Sequence, residues 1–123
     1  MDSYTPDEAP VAREWLALDE MERLRLVIAY HDREQIRVAN ARLHAAIHTV
    51  VETQVAIGEQ VVVDTMARLR RDGLGRHDAI HAVGSVLVER LLAAMQQKAT
   101  PASLASAYLE DLKALTAEAW KNS

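Results

Sequence analysis

Four of the five histidines in this chain fall in two copies of one pattern, H-x-A-I-H-x-V: His44, Ala46, Ile47, His48 and Val50, then His77, Ala79, Ile80, His81 and Val83. Residues four apart share one face of a helix, with Cβ atoms about 5–6 Å apart, so each copy, if helical, aims two imidazoles at one point. Random placement of five histidines in a chain of this length gives two such pairs in roughly one shuffled sequence in a hundred, so the spacing carries information. Two such helices facing each other would offer four nitrogens to one metal ion. Imidazole is a ligand of borderline softness that suits Zn, Cu, Fe or Ni, with Zn–N bonds of about 2.0–2.1 Å. Without an ion, converging imidazoles that protonate near a reference pKa of about 6.5 repel one another in a partly dehydrated space. The predicted cofactor is a transition-metal ion, Zn foremost, with Fe or Ni as the next candidates.

Other groups can join this set. Glu52 extends the first pair to His44-x3-His48-x3-Glu52, although over two turns its direction drifts by roughly 80° from that of His44. It is expected as a ligand, as a group that orients a ligand, or as a solvated carboxylate. His31, beside Tyr30 at a predicted helix end, is the natural fifth nitrogen. Asp78 projects about 100° away from His77 and suits the positive end of a helix dipole instead. The competing expectation is that each pair hydrogen-bonds within a helical core and that no ion binds.

These side chains need helices to carry them. Thr5-Pro6-Asp7-Glu8 has the form of a capping box with proline at the first helical position, and Pro10 should keep the helix it opens short or kinked. Asp19, with Glu22 three residues on, predicts a second helix through Leu24, Val27 and Ile28, ending near Tyr30-His31. Pattern alone leaves Asp32 to Arg37 as loop or helix. Asn40 is an N-cap for a helix with Leu43, Ile47, Val50, Val51 and Val55 on its apolar stripe, stopped by Gly58. A further helix runs to Gly73, a Gly73-Leu74-Gly75 connection follows, and Ile80 to Met95 give the most regular helical pattern in the chain. Thr100-Pro101 opens a last helix with Leu104, Tyr108, Leu112, Leu115 and Trp120 on its buried side. The expected fold is an all-α, single-domain bundle of five or six helices with short connections, a segment 1–17 with a short capped helix preceding the bundle at 18–120.

Composition narrows the functions open to such a bundle. Half of the 123 residues are hydrophobic, but phenylalanine is absent and aromatics make up 4%, so the core must be aliphatic. A chain of this length buries roughly two-thirds of its unfolded surface and needs no staple. The formal charge of −4 disfavours nucleic acid and anionic membrane as partners. Arg68, Arg70, Arg71 and Arg76 are the local exception, expected as a solvated helix end and loop rather than a phosphate site. With no cysteine, any metal must be held by nitrogen and oxygen. Met1 to Pro10 lacks a basic start followed by an apolar run, and no stretch approaches ~18 apolar residues, so a soluble cytoplasmic protein is expected. There is no H-E-x-x-H signature, no phosphate loop and no G-x-S-x-G elbow, and no enzymatic activity is assigned.

Asn40-x-x-Leu43-His44-x3-His48-x5-Gln54, preceded by Tyr30-His31 and followed by His77-x3-His81, resembles the small, histidine-rich bacterial proteins called domain of unknown function eighteen-forty-one. The similarity runs from about Leu18 to Leu115 and includes Tyr108-Leu109-Glu110. It implies one shared site that uses His31, His44, His48, His77 and His81. The chain departs from the family pattern at Ala41, where proline tends to follow the asparagine, and at Ile80, where an acidic residue often precedes the last histidine. Two other readings stand beside metal binding. One is a non-catalytic interaction module in which Leu91, Leu92 and Met95 form a homodimer face. The other is a hemerythrin-like di-iron bundle, which needs carboxylates at spacings found here only in Glu52. Charging of the histidines between about pH 5 and 7 would make the bundle a pH sensor.

Overall fold

The computed structural model describes residues 1–122, and among them seven helices and no strand. They are α1 (Ala12–Ala17), α2 (Glu20–Arg33), α3 (Ala41–Ala56), α4 (Gln60–Arg71), α5 (Arg76–Gln97), α6 (Pro101–Ala114) and α7 (Ala117–Lys121). The all-α expectation holds. The count exceeds five or six because the last predicted helix is divided, α6 ending at Ala114 and α7 following as a separate helix of five residues.

Local chemistry sets most of the boundaries. The Asp19 carboxylate accepts from the Glu22 amide at 2.8 Å, Asn40 Oδ1 from Leu43 at 3.1 Å, and Thr100 Oγ1 from Ser103 at 3.1 Å, each satisfying an amide that the first helical turn leaves unpaired. Gly58 closes α3 at φ +77°, with its own amide bonded to Val55 and that of Glu59 to Gln54, the paired bonds of a left-handed helix stop. Gly73, at φ +103°, ends α4 in the same way and delivers the buried Leu74 into the core. Three boundaries differ from the sequence reading. Thr5 to Glu8 form a turn, with Thr5 Oγ1 accepting from the Asp7 amide, and the short helix starts only at Ala12 with no side-chain cap, because Pro10 lies between them. The second helix continues past His31 to Arg33 and is stopped by Gln35 in a left-handed conformation. Trp120 belongs to a separate helix, because Thr116 caps α7 by accepting from the Ala119 amide.

Helices α3 and α5 form the centre: α3 packs against α1, α2, α4 and α5, and α5 against α3, α4, α6 and α7. Gly84 lets the two approach closely, since a Cβ there would lie 2.6 Å from Ile47 Cγ2. The larger apolar cluster fills the space among α3, α4, α5 and α6 around Leu69, Ile80, Val83 and Leu112. A smaller one joins Tyr4, Trp15, Val27, Tyr30 and Ala45. The apolar stripe foreseen for α3 is only partly covered, with Leu43 and Val50 exposed. No helix of the described residues is long and apolar enough to cross a membrane.

A candidate metal centre of five histidines

All five histidines meet beside the smaller apolar cluster, with Tyr4 against His48 and Tyr30 against His31 and His77. His31 comes from the last turn of α2, His44 and His48 from the first half of α3, and His77 and His81 from the first two turns of α5. His48 is the hub: its ring centroid lies 4.9–5.1 Å from those of His31, His44, His77 and His81. The i,i+4 pairs are side by side, His44 with His48 at 4.9 Å and His77 with His81 at 4.3 Å. The distance from sequence to geometry is short here, because helix periodicity aligns each pair and the α3–α5 contact brings the pairs together.

The nitrogens converge in two overlapping sets. His81 Nε2 lies 3.0 Å from His48 Nε2 and 3.2 Å from His44 Nε2. One ligand atom from each of His31, His44, His48 and His77 falls within 4.8 Å of the others. His44 and His48 belong to both sets. Donors on a tetrahedral ion with bonds of about 2.0–2.1 Å are about 3.3 Å apart, so the separations around His81 are close to those of a coordinated set.

The tautomers can be read from partners that have only one role. A carbonyl oxygen only accepts, so the 2.8 Å contact between His31 Nδ1 and the Val27 carbonyl places the proton on Nδ1 and leaves a lone pair on Nε2. That Nε2 is buried and has no hydrogen-bond partner, and the same is true of His77 Nε2. Buried polar atoms are normally satisfied, so two orphaned nitrogens beside three crowded ones mark a place where protein atoms alone do not complete the bonding.

Glu52 is fully buried and holds a different position from those expected of it as a ligand or a solvated group. Its two oxygens accept a bidentate ion pair from Arg76, at 2.6 and 2.8 Å, and one also accepts the Tyr4 hydroxyl at 2.5 Å. The Tyr4 oxygen lies 3.5 Å from His48 Nδ1, so the carboxylate reaches the histidine set through a phenol. Burial, followed by the charge of Glu52, pushes the Tyr4 phenol well above its ordinary pKa, which keeps that proton in place. Arg76 overturns the expectation of a solvated arginine: it is buried, and its Nη1 also donates to the Pro6 and Glu8 carbonyls. Arg68 also turns inward, donating to the Leu112 and Leu115 carbonyls, whereas Arg70 and Arg71 are exposed as expected. Asp78 is exposed in the first turn of α5, where it faces the helix dipole.

No family model, no curated protein and no solved structure matches this chain. The chemistry of the site therefore rests on its own atoms. Burial favours the neutral, metal-binding form of the four histidines of α3 and α5: it lowers His44 and His81 to about 4 and His48 to about 2, with neighbouring imidazoles adding to the effect, and it lowers His77 too. No carboxylate joins the converging nitrogens in that group among the described residues. A cavity of about 550 Å³ between α3 and α5 opens directly onto His44, His48 and His81. Sequence reasoning missed Tyr4 and Arg76. Nothing local marks either: Tyr4 stands in a polar N-terminal segment and Arg76 follows a glycine, and only tertiary packing buries them.

Proposed function

We propose that this protein binds a transition-metal ion through its histidine cluster. His44 and His48 are the ligands common to both sets of nitrogens, and His31, His77 and His81 complete the site. The observation that carries this reading is the pair of buried, unpartnered Nε2 atoms on His31 and His77, two residues that each bring a ligand atom within 4.8 Å of those of His44 and His48. A core that merely satisfied its histidines would have given those atoms hydrogen-bond partners. The donor set is all nitrogen, which suits Zn, Fe or Ni and argues against a hard, oxygen-seeking cation. It also favours one ion over a di-iron centre, which would call on carboxylates, since both oxygens of Glu52 are held by Arg76 and Tyr4. The use of all five histidines agrees with what the resemblance to the domain of unknown function eighteen-forty-one family implies.

Elemental analysis of tag-free protein, beside the His48→Ala/His81→Ala variant, tests this reading. About one equivalent of Zn, Fe or Ni in the parent, lost in the variant while circular dichroism keeps its helical signal, is the expected result. Two irons per chain would favour the hemerythrin-like alternative, and absence of metal after reconstitution would overturn the proposal.

A further inference from the structure

The cavity beside the histidines has two unlike ends. Its walls are aliphatic, made by Val38, Leu43, Ile47, Ile80 and Val88. Its inner end is made by the imidazoles of His44, His48 and His81, the three whose Nε2 atoms lie closest together. Glu89 lies on the lining on the α5 side, two turns beyond His81, and gives that region negative charge. Ser85, one turn from His81, has its hydroxyl proton committed to the Ala82 carbonyl at 2.7 Å and presents lone pairs only. A volume of about 550 Å³ is that of a small-molecule site, and convergent polar groups at one end of an apolar cleft are what such sites use to fix orientation.

Resting on the metal-binding reading above, we infer that the cavity binds a small monoanion with an aliphatic tail, its oxygen head group on the ion held by the histidines and its tail along Leu43, Ile47 and Val88. An ion held only by neutral imidazoles keeps its full positive charge, so an anionic head is drawn to that end. Glu89 and the acceptor-only Ser85 leave no welcome for a second anionic group farther along, which sets the class as monocarboxylates or their isosteres rather than dicarboxylates. The exposure of Leu43, half accessible in a wall of the cavity, is then that of a residue awaiting a ligand.

The test uses Co(II)-loaded full-length protein, with Co(II) content measured first, and acetate, hexanoate and adipate as probes read by the visible absorption of the metal. A parallel sample carries Ser85→Trp, which fills the cavity from a side chain that ligates nothing. Hexanoate is expected to perturb the spectrum with affinity rising roughly threefold for each methylene beyond acetate, because each is buried against apolar wall. Adipate should bind at least about tenfold more weakly than hexanoate, and Ser85→Trp should keep its Co(II) while losing the preference for hexanoate. Retained Co(II) with equal binding of acetate and hexanoate, or with the preference intact in Ser85→Trp, would overturn the cavity's role and leave the metal site standing. Failure to take up Co(II) at all would overturn both.

Discussion

Among the individual residues, the hub is His48, and what holds it is a buried polar chain: Arg76 to Glu52, Glu52 to Tyr4, Tyr4 to the far side of the imidazole. Groups that orient a ligating histidine commonly contribute tenfold or more to metal affinity. The chain also has a structural consequence. Glu52 is fully buried, so removing Arg76 leaves an uncompensated charge in the core. Arg76→Met is expected to destabilise the fold by about 3–5 kcal/mol in denaturant titrations, whereas Glu52→Leu/Arg76→Met should recover much of that loss because the isolated charge is gone. Equal stability of the single and double variants would show that the ion pair carries no such burden. None of these partners was legible from the chain itself. Glu52 could be placed near the histidines by its spacing, but which way its carboxylate turns depends on an arginine 24 positions away and a tyrosine 48 positions before it.

Among the elements, the site is an agreement between α3 and α5. Each contributes two histidines by its own periodicity, and the distance between the helices decides whether four nitrogens converge. Gly84 sets that distance, since a methyl group there would sit 2.6 Å from Ile47 Cγ2, a branch close to the backbone with little freedom to move. Gly84→Ala gains about 1 kcal/mol in helix propensity but must push the helices apart, at about 1–3 kcal/mol. A net loss of stability on the order of 1 kcal/mol is expected, with weaker metal binding in competition titrations. Ile47→Leu, which removes the offending methyl branch, should relieve both effects in the Gly84→Ala background. A Gly84→Ala protein as stable as the parent and with the same metal affinity would place the helix spacing elsewhere. The helices themselves were well marked in the sequence, because Asp19, Asn40, Gly58, Gly73 and Thr100 act locally through caps and stops. The N-terminal turn was not, because the residues of a capping box also suit a simple turn, in which Thr5 Oγ1 takes the Asp7 amide in place of the Glu8 amide that a cap would bind.

For the molecule as a whole, the histidine cluster couples folding to pH and, on the proposed function, to metal. In the folded, metal-free protein His44 and His81 titrate near 4 and His48 near 2, with burial as the leading cause, against about 6.5 in the unfolded chain. The folded-state values are depressed, so above pH 6.5 neither state is protonated and these groups cost nothing. As pH falls from about 6.5 towards 4 the unfolded chain takes up protons that the folded one refuses, and stability is lost through that window. The melting temperature of chelator-treated protein is therefore expected to fall between pH 7 and pH 4 more steeply than that of a variant with His44, His48 and His81 all replaced by Gln. A bound ion adds to the same slope, since it stabilises only the folded state and must compete with protons for the same nitrogens. Parallel melting curves for the two proteins across that range would remove this coupling. The N-terminal segment also belongs to the whole: Tyr4 and Pro6 are buried in it, and it is tied down by Arg33 to the Tyr4 carbonyl and by Arg76 to those of Pro6 and Glu8.

By itself the sequence determined the helical class, most helix ends and the two histidine pairs, because those follow from periodicity, capping and spacing along a few turns of chain. Tertiary structure decided the rest. The hub position of His48, the turning of Glu52 towards Arg76, the burial of Tyr4 and the cavity between Leu43 and Val88 all depend on how α2, α3, α5 and the N-terminal segment pack. Those contacts join residues tens of positions apart, and no local preference of the backbone records them.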